Sequence, residues 1–223
     1  MATLPELARG HAALDEARVE HLQDLASVWG LLADLSFADL LLYARAPAGS
    51  DRALVLLGHM RPTTGTTLYR ADLVGQVFEP RRRPLIVEAF EADEAVEGIV
   101  DVGSDRSVHV TAVPVRRHGE TIAVLARERL QPADRPGSEQ ERTYLTVFDR
   151  FARMLERGEF PYHDEERLRH RTPRVGDGLL LVDADGRIEF ASPNAVSTLH
   201  RMGVTRGVTG ARFDDTGLGS SML

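Results

Sequence analysis

Four side chains have the types and placement to hold a small ligand: His59, Arg61, Tyr69 and His109. Both histidines fall on segments that read as strands, while Arg61 and Tyr69 flank an irregular stretch that could roof a pocket. Imidazole, guanidinium and phenol together supply donors, acceptors and one fixed charge, enough to orient a polar molecule. Each histidine fits a satisfied core or edge position equally well. Nothing in the spacing of the four builds a haem or metal site, so no metal is expected and the cofactor stays unknown. Other groupings reduce to structure. His163-Asp164-Glu165-Glu166 sets ligand-type residues side by side on a linker, without the fixed geometry that metal selectivity needs. Arg169-His170-Arg171-Thr172-Pro173 holds an imidazole that could carry a phosphoryl group, but Pro173 breaks the segment and no second bundle helix follows. A hairpin turn accounts for Asp183, Asp185 and Gly186. Arg81-Arg82-Arg83 suits phosphate oxygens and is read here as a solvated loop.

Composition removes several function classes. The chain has no cysteine, which excludes disulfides, thiolate metal sites, thiol nucleophiles, thioether-linked chromophores and cysteine redox sensing. Its 27 Lys plus Arg residues, all of them arginine, stand against 34 Asp plus Glu, for a net charge of -7. That balance repels a phosphate backbone, and no nucleic-acid partner is expected. The uniform use of arginine is a bias of the whole chain rather than the mark of a site. The most apolar stretch, Leu31 to Ala44, is cut by Asp34 and Asp39 and falls short of the ~20 residues that span a bilayer. Met1 to Gly10 has no charged segment leading into an apolar core. A soluble, cytoplasmic protein with no membrane contact is expected, and 223 residues suit two small domains.

The elements that would position the candidate residues follow from periodicity. Leu22, Leu25, Trp29 and Leu32 step by 3, 4 and 3 within an amphipathic helix over 14–35. Leu40 to Tyr43 and Leu54 to Leu57 read as buried strands, and Thr66 to Arg70 as a possible short third. Over 72–103 the pattern weakens: Leu73, Val77 and Phe78 suggest a short helix, and Pro84 to Val87 a strand or a helix start. Ser107 to Arg117 and Thr121 to Arg129 form an antiparallel hairpin about His118-Gly119-Glu120. Pro114 places its part of that hairpin at an edge or a bulge, because it cannot donate to a ladder. Ser138 and Glu141 have capping-box spacing and open a helix carrying Tyr144, Phe148, Phe151 and Leu155. Both helical stripes must be buried, either against the sheet or, as a four-helix dimer bundle, against a second chain. Residues 158–176 read as a linker. A hairpin with the turn Ala184-Asp185-Gly186 follows, then a helix with Ser192 at its N-cap and Pro193 at N1.

The run from Gly178 through Asp183, Asp185, Gly186 and Asn194 to Ala195 resembles the opening of a PAS domain. The unit before it has the order and size of a GAF domain: an α+β fold, an antiparallel sheet flanked by amphipathic helices. Closer still, Trp29 to Asp39, Arg61-Pro62 with Gly65, and Ala191 to Ala195 followed by His200-Arg201-Met202-Gly203 resemble the input region of the actinobacterial PdtaS sensor histidine kinases. The resemblance implies a GAF domain over 1–157, a linker over 158–176, and the incomplete N-terminal part of a PAS domain over 177–223. It also implies a cytosolic dimer sensing a small molecule, with a response regulator of RNA-binding antitermination output as partner. The phosphoacceptor and ATP-binding domains of that family lie outside this chain, so no catalysis is expected from it and ATP would serve only the absent kinase domain. Two other readings stand beside this one: a GAF domain that only dimerises and spaces the kinase, and a regulatory GAF domain of a phosphodiesterase or phosphatase. Methionine sulfoxide reduction, which some GAF folds perform with cysteine, is excluded.

Overall fold

The computed structural model describes residues 2–12, 14–47, 52–101, 107–130, 138–161, 173–204 and 207–217. The Arg169 to Pro173 motif lies outside them except for its proline, and His163 to Glu166 lies outside them entirely. The chain divides into two compact units, Met1–Thr172 and Pro173–Leu223.

The first unit is built on a six-stranded sheet of β1 (Asp39–Arg45), β2 (Leu54–Met60), β3 (Val77–Phe78), β4 (Val96–Asp101), β5 (Ser107–Arg117) and β6 (Glu120–Leu130), in the order β3-β2-β1-β6-β5-β4. Every neighbouring pair is antiparallel. Helices α1 (Leu4–His11), α2 (Glu16–Ser36) and α4 (Glu139–Arg157) pack on one side of it, and α3 (Pro84–Ala92) on the other. This is an α+β layered fold. Pro114 sits where both of its expected causes meet, past the last β5 residue that β4 pairs and next to a register shift at Val115/Arg116.

Helix α2 forms as its stripe requires. The Asp15 side chain accepts from the Arg18 N–H at 2.8 Å, and Leu22, Leu25 and Leu32 are at most 1% exposed. Ser138 caps α4 reciprocally: its Oγ accepts from Glu141 N–H at 3.1 Å, while Glu141 accepts from Ser138 N–H at 2.6 Å. Ser138→Ala should cost about 1 kcal/mol, read as a lower midpoint with unchanged slope in urea denaturation. Tyr144, Phe148 and Leu155 are buried with Trp29 in the same chain, and Phe151 packs on Phe160 at 4.9 Å between ring centroids. These eight stripe residues are therefore taken up by packing within the unit.

Two expectations are corrected. Thr66 to Arg70 forms no strand, because its backbone is held by side chains: Asp39 takes the Leu68 N–H and Arg61 donates to the Tyr69 carbonyl. Val77 and Phe78 are a strand, not part of a helix, for Leu56 N–H donates to Gln76 O and Val77 pairs with Val55. Of the two readings of Pro84 to Val87 the helix start holds, with the proline at the first turn of α3. Helix α1 and strand β4 are additional. Thr3, Pro5 and Glu6 give α1 a capping box and an N-terminal proline.

In the second unit β7 (Leu180–Val182) pairs with β8 (Ile188–Ala191), and α5 (Pro193–Arg201) follows. Asp183 Oδ1 accepts from Asp185 N–H and Arg187 N–H, which gives the turn carboxylate a structural role. Ser192 caps α5 through the Ala195 N–H, and Asn194 donates to Gly176 O. Ile188, Leu199 and Val208 form the core. Among the described residues of the chain, no helix is long and apolar enough to cross a membrane.

Candidate functional site

Alternation along the strands puts one row of side chains under α3. Asp39, Leu41 and Tyr43 of β1 pair with Glu128, Ala126 and Val124 of β6, and Glu128 pairs in turn with Val110 of β5. The apolar members are buried as expected. Asp39 and Glu128 are each 1% exposed, and two buried carboxylates on directly opposed residues repel each other unless each has its own donors.

Asp39 is satisfied by the loop that follows β2. His59 Nε2 donates to Asp39 Oδ1 at 2.8 Å, the Thr67 hydroxyl donates to the same oxygen at 2.8 Å, and Leu68 N–H reaches Oδ2 at 2.5 Å. Burial would raise the pKa of this carboxyl, but the three donors outweigh it and hold the group below the usual range. The same loop is tied at its start by Asp34, whose Oδ1 accepts from Thr63 N–H at 2.6 Å and from its hydroxyl at 2.8 Å. Gly65 then passes the Phe37 carbonyl so closely that a Cβ would stand 3.1 Å from the oxygen. Asp34, Asp39, Arg61 and Gly65, all within the sequence blocks singled out above, thus fix one loop.

That loop delivers Tyr69. Its hydroxyl donates to Glu128 Oε2, and Arg83 Nη1 lies 3.4 Å from Glu128 Oε1. The Arg83 guanidinium stands 4.9 Å from the Phe78 ring centroid and 5.6 Å from that of Tyr43. Burial and the nearby Glu128 carboxylate push the Tyr69 and Tyr43 hydroxyls well above their ordinary values, so both stay protonated donors. Burial opposes the charge on Arg83, but Glu128 and the two tyrosines outweigh it and raise its pKa. Arg83 Nε and the Tyr43 hydroxyl are buried with no hydrogen-bond partner among the described residues. A cavity of about 30 Å³ opens beside Arg83, lined by Tyr69, Arg83 and Glu128 with Ile86, Val108 and Val110. It has room for about one or two waters.

The structure brings His59 and Tyr69 together, with ring centroids 5.8 Å apart. Only Tyr69 of the four expected residues reaches the cavity. Arg61 donates to the carbonyls of Tyr69 and Ala71 and so holds the loop. His109 faces the opposite side of the sheet, paired with Arg129 and 3.2 Å from Glu97. Burial lowers its pKa, with Arg129 and Arg127 adding to the effect against Glu97. Arg83, expected in a solvated loop, is largely buried in the site. Asp39, Tyr43, Arg83 and Glu128 were missed as site residues, although Glu128 on the parity of Ile122, Val124 and Ala126 signals a buried carboxylate that needs a partner.

A central antiparallel sheet with a helical layer on one side, and a loop and short helix enclosing a polar cluster on the other, is the GAF architecture. Residues 4–147 match the family described as "Histidine kinase PdtaS, GAF domain". The chain belongs to this PdtaS family and is the sensory region of a PdtaS-type sensor histidine kinase. It is 36% identical over 219 residues to the sensor histidine kinase PdtaS of Mycolicibacterium smegmatis, covering 94% of this chain and 42% of that protein. With the PdtaS of Mycobacterium tuberculosis it shares 36% over 222 residues, 96% of this chain and 43% of the other. The chain thus spans less than half the length of these curated relatives. A solved structure described as the sensor region of a sensor histidine kinase superposes with a TM-score of 0.80 at 34% identity, covering 96% of this chain and 74% of that one.

Proposed function

We propose that this chain is the cytoplasmic signal-input region of a dimeric histidine kinase, and that the cavity under α3 takes a small polar molecule. On this reading residues 177–223 are the opening part of a PAS domain. The missing kinase domain passes phosphoryl groups to a response regulator with an RNA-binding antitermination output. The observation that carries ligand binding is the buried Arg83 Nε, which has no hydrogen-bond partner among the described residues and whose side chain lines the cavity. Leaving such a donor unpaired costs about 1–3 kcal/mol, which a ligand bearing an acceptor would recover. Relay would run through β6. Glu128 faces the cavity, and its neighbour Arg127 faces the helices, stacked 5.2 Å from the Phe148 ring of α4 and bonded to Ser36 O of α2. A ligand that draws Arg83 from Glu128 would shift β6 and bias how α2 and α4 pack.

The small cavity favours the spacer reading as the alternative. Native mass spectrometry of the purified chain separates the two. A discrete small-molecule adduct is expected on the wild type, absent from Arg83→Ala at unchanged far-UV circular dichroism. An adduct-free wild type, even after incubation with cell extract, would leave the domain a spacer.

A further inference from the structure

On the helix side of the sheet, β5 and β6 with α4 border a groove of about 370 Å³. Arg127 and Arg129 are alternate residues of β6 and line it together. Arg127 is 7% exposed. Its Nη2 donates to Ser36 O at 3.2 Å, but its Nε, like that of Arg129, is buried with no hydrogen-bond partner among the described residues. Among the described residues neither guanidinium has a carboxylate within salt-bridge distance. Burial, with Arg129 beside it, draws the Arg127 pKa down to about 10, which marks an under-compensated charge. Of the acids that line the groove, Glu97 lies 3.2 Å from His109 and accepts from Thr111, Glu156 accepts the Ala95 N–H, and Asp149, with Glu97, offsets only part of the cost of burying Arg127. Val113, Leu145, Phe148 and Ala152 form an apolar wall.

We propose that this groove is a second binding site, for a small monocarboxylate with an apolar body. The carboxylate would face Arg127 and Arg129, where charge-assisted bonds are available to both guanidinium groups, and the body would lie on the apolar wall. A phosphate dianion suits the groove less, because Glu97, Asp149 and Glu156 around it repel a second negative charge. The site is separate from the cavity under α3 and does not depend on a ligand there. Because Arg127 joins the end of α2 to Phe148 of α4, an occupant would tighten the contact between those helices.

Benzoate is the probe, with benzamide as its uncharged isostere and inorganic phosphate as the competing anion. In the full 223-residue chain, proton–nitrogen spectra of the arginine Nε–H groups report the site directly. Saturable movement of the Arg127 and Arg129 signals is expected with millimolar benzoate and none with benzamide, with phosphate weaker by about tenfold or more. Arg129→Gln should weaken benzoate by a similar factor while the Arg127 Nε–H signal stays dispersed, showing that the fold persists. The proposal is overturned if the two signals stay fixed up to the solubility of benzoate. It is likewise overturned if benzamide or phosphate moves them as readily, or if Arg129→Gln leaves the titration unchanged.

Discussion

Gly58→Ala is expected to destabilise the first unit by about 3 kcal/mol, the upper range for overpacking a buried site. Gly58 lies opposite Leu42 on the helix side of β2, where the Trp29 ring covers it. A Cβ built there would stand 2.3 Å from Trp29 Cη2 and 3.0 Å from Cζ3. The indole cannot retreat, because Trp29 is only 8% exposed and the second half of α2 is enclosed on nearly every side. The strand would have to move away from the helix and part of its ladder with it. For a chain of this size the loss corresponds to a melting point lower by about 6–12 °C. Trp29 is the single tryptophan, so a red-shifted emission maximum would report the displaced ring. In a double-mutant cycle followed by circular dichroism, Gly58→Ala with Trp29→Leu should cost clearly less than the sum of the two single changes. Additive costs would mean that the clash is relieved elsewhere.

Strong periodicity made the framework legible. The 3-4-3 stripe of α2 and the 4-3-4 stripe of α4, the apolar runs of β1 and β2 and the β5/β6 hairpin all appear where their side chains demand a buried face. Short elements escaped because they carry too few turns or alternations to show a period. Helix α1 buries only Leu7 and Ala8, β3 has two residues, and β4 places Gly98 where an inward side chain would have marked it. The site was half visible for a related reason. His59 and Tyr69 attract notice by type, but which face a strand residue occupies depends on parity, and parity sends His109 away from them. The same parity, applied to charged residues on apolar faces, picks out Asp39 with Leu41 and Tyr43, and Glu128 with Val124 and Ala126. Arg83 had no such signal. Its burial depends on the turn that precedes α3 and on the Tyr43 and Phe78 rings brought to it from strands 40 and 5 residues earlier, by the numbering in the sequence.

Asp39→Ala is expected to be the most damaging single change in the site, at about 4 kcal/mol, since it strips acceptors from buried donors worth about 1–3 kcal/mol each. The donors are His59 Nε2, the Thr67 hydroxyl and Leu68 N–H, and they anchor the loop that holds Tyr69 against Glu128. Loss of the anchor should therefore appear as faster hydrogen exchange at Leu68 together with the lower denaturation midpoint. Asp39→Asn keeps an oxygen for part of the set and should lose about half as much. The cost also depends on pH in a fixed sense. The folded carboxyl titrates below the usual aspartate range, so its contribution is complete above the unfolded-state pKa and disappears as the pH falls through the folded value. The stability gap between wild type and Asp39→Ala should be widest near neutrality and narrow in strongly acidic solution. A gap that stays constant, or widens on acidification, would show that the Asp39 charge contributes nothing to the loop, and that its role is only to fill space beside His59.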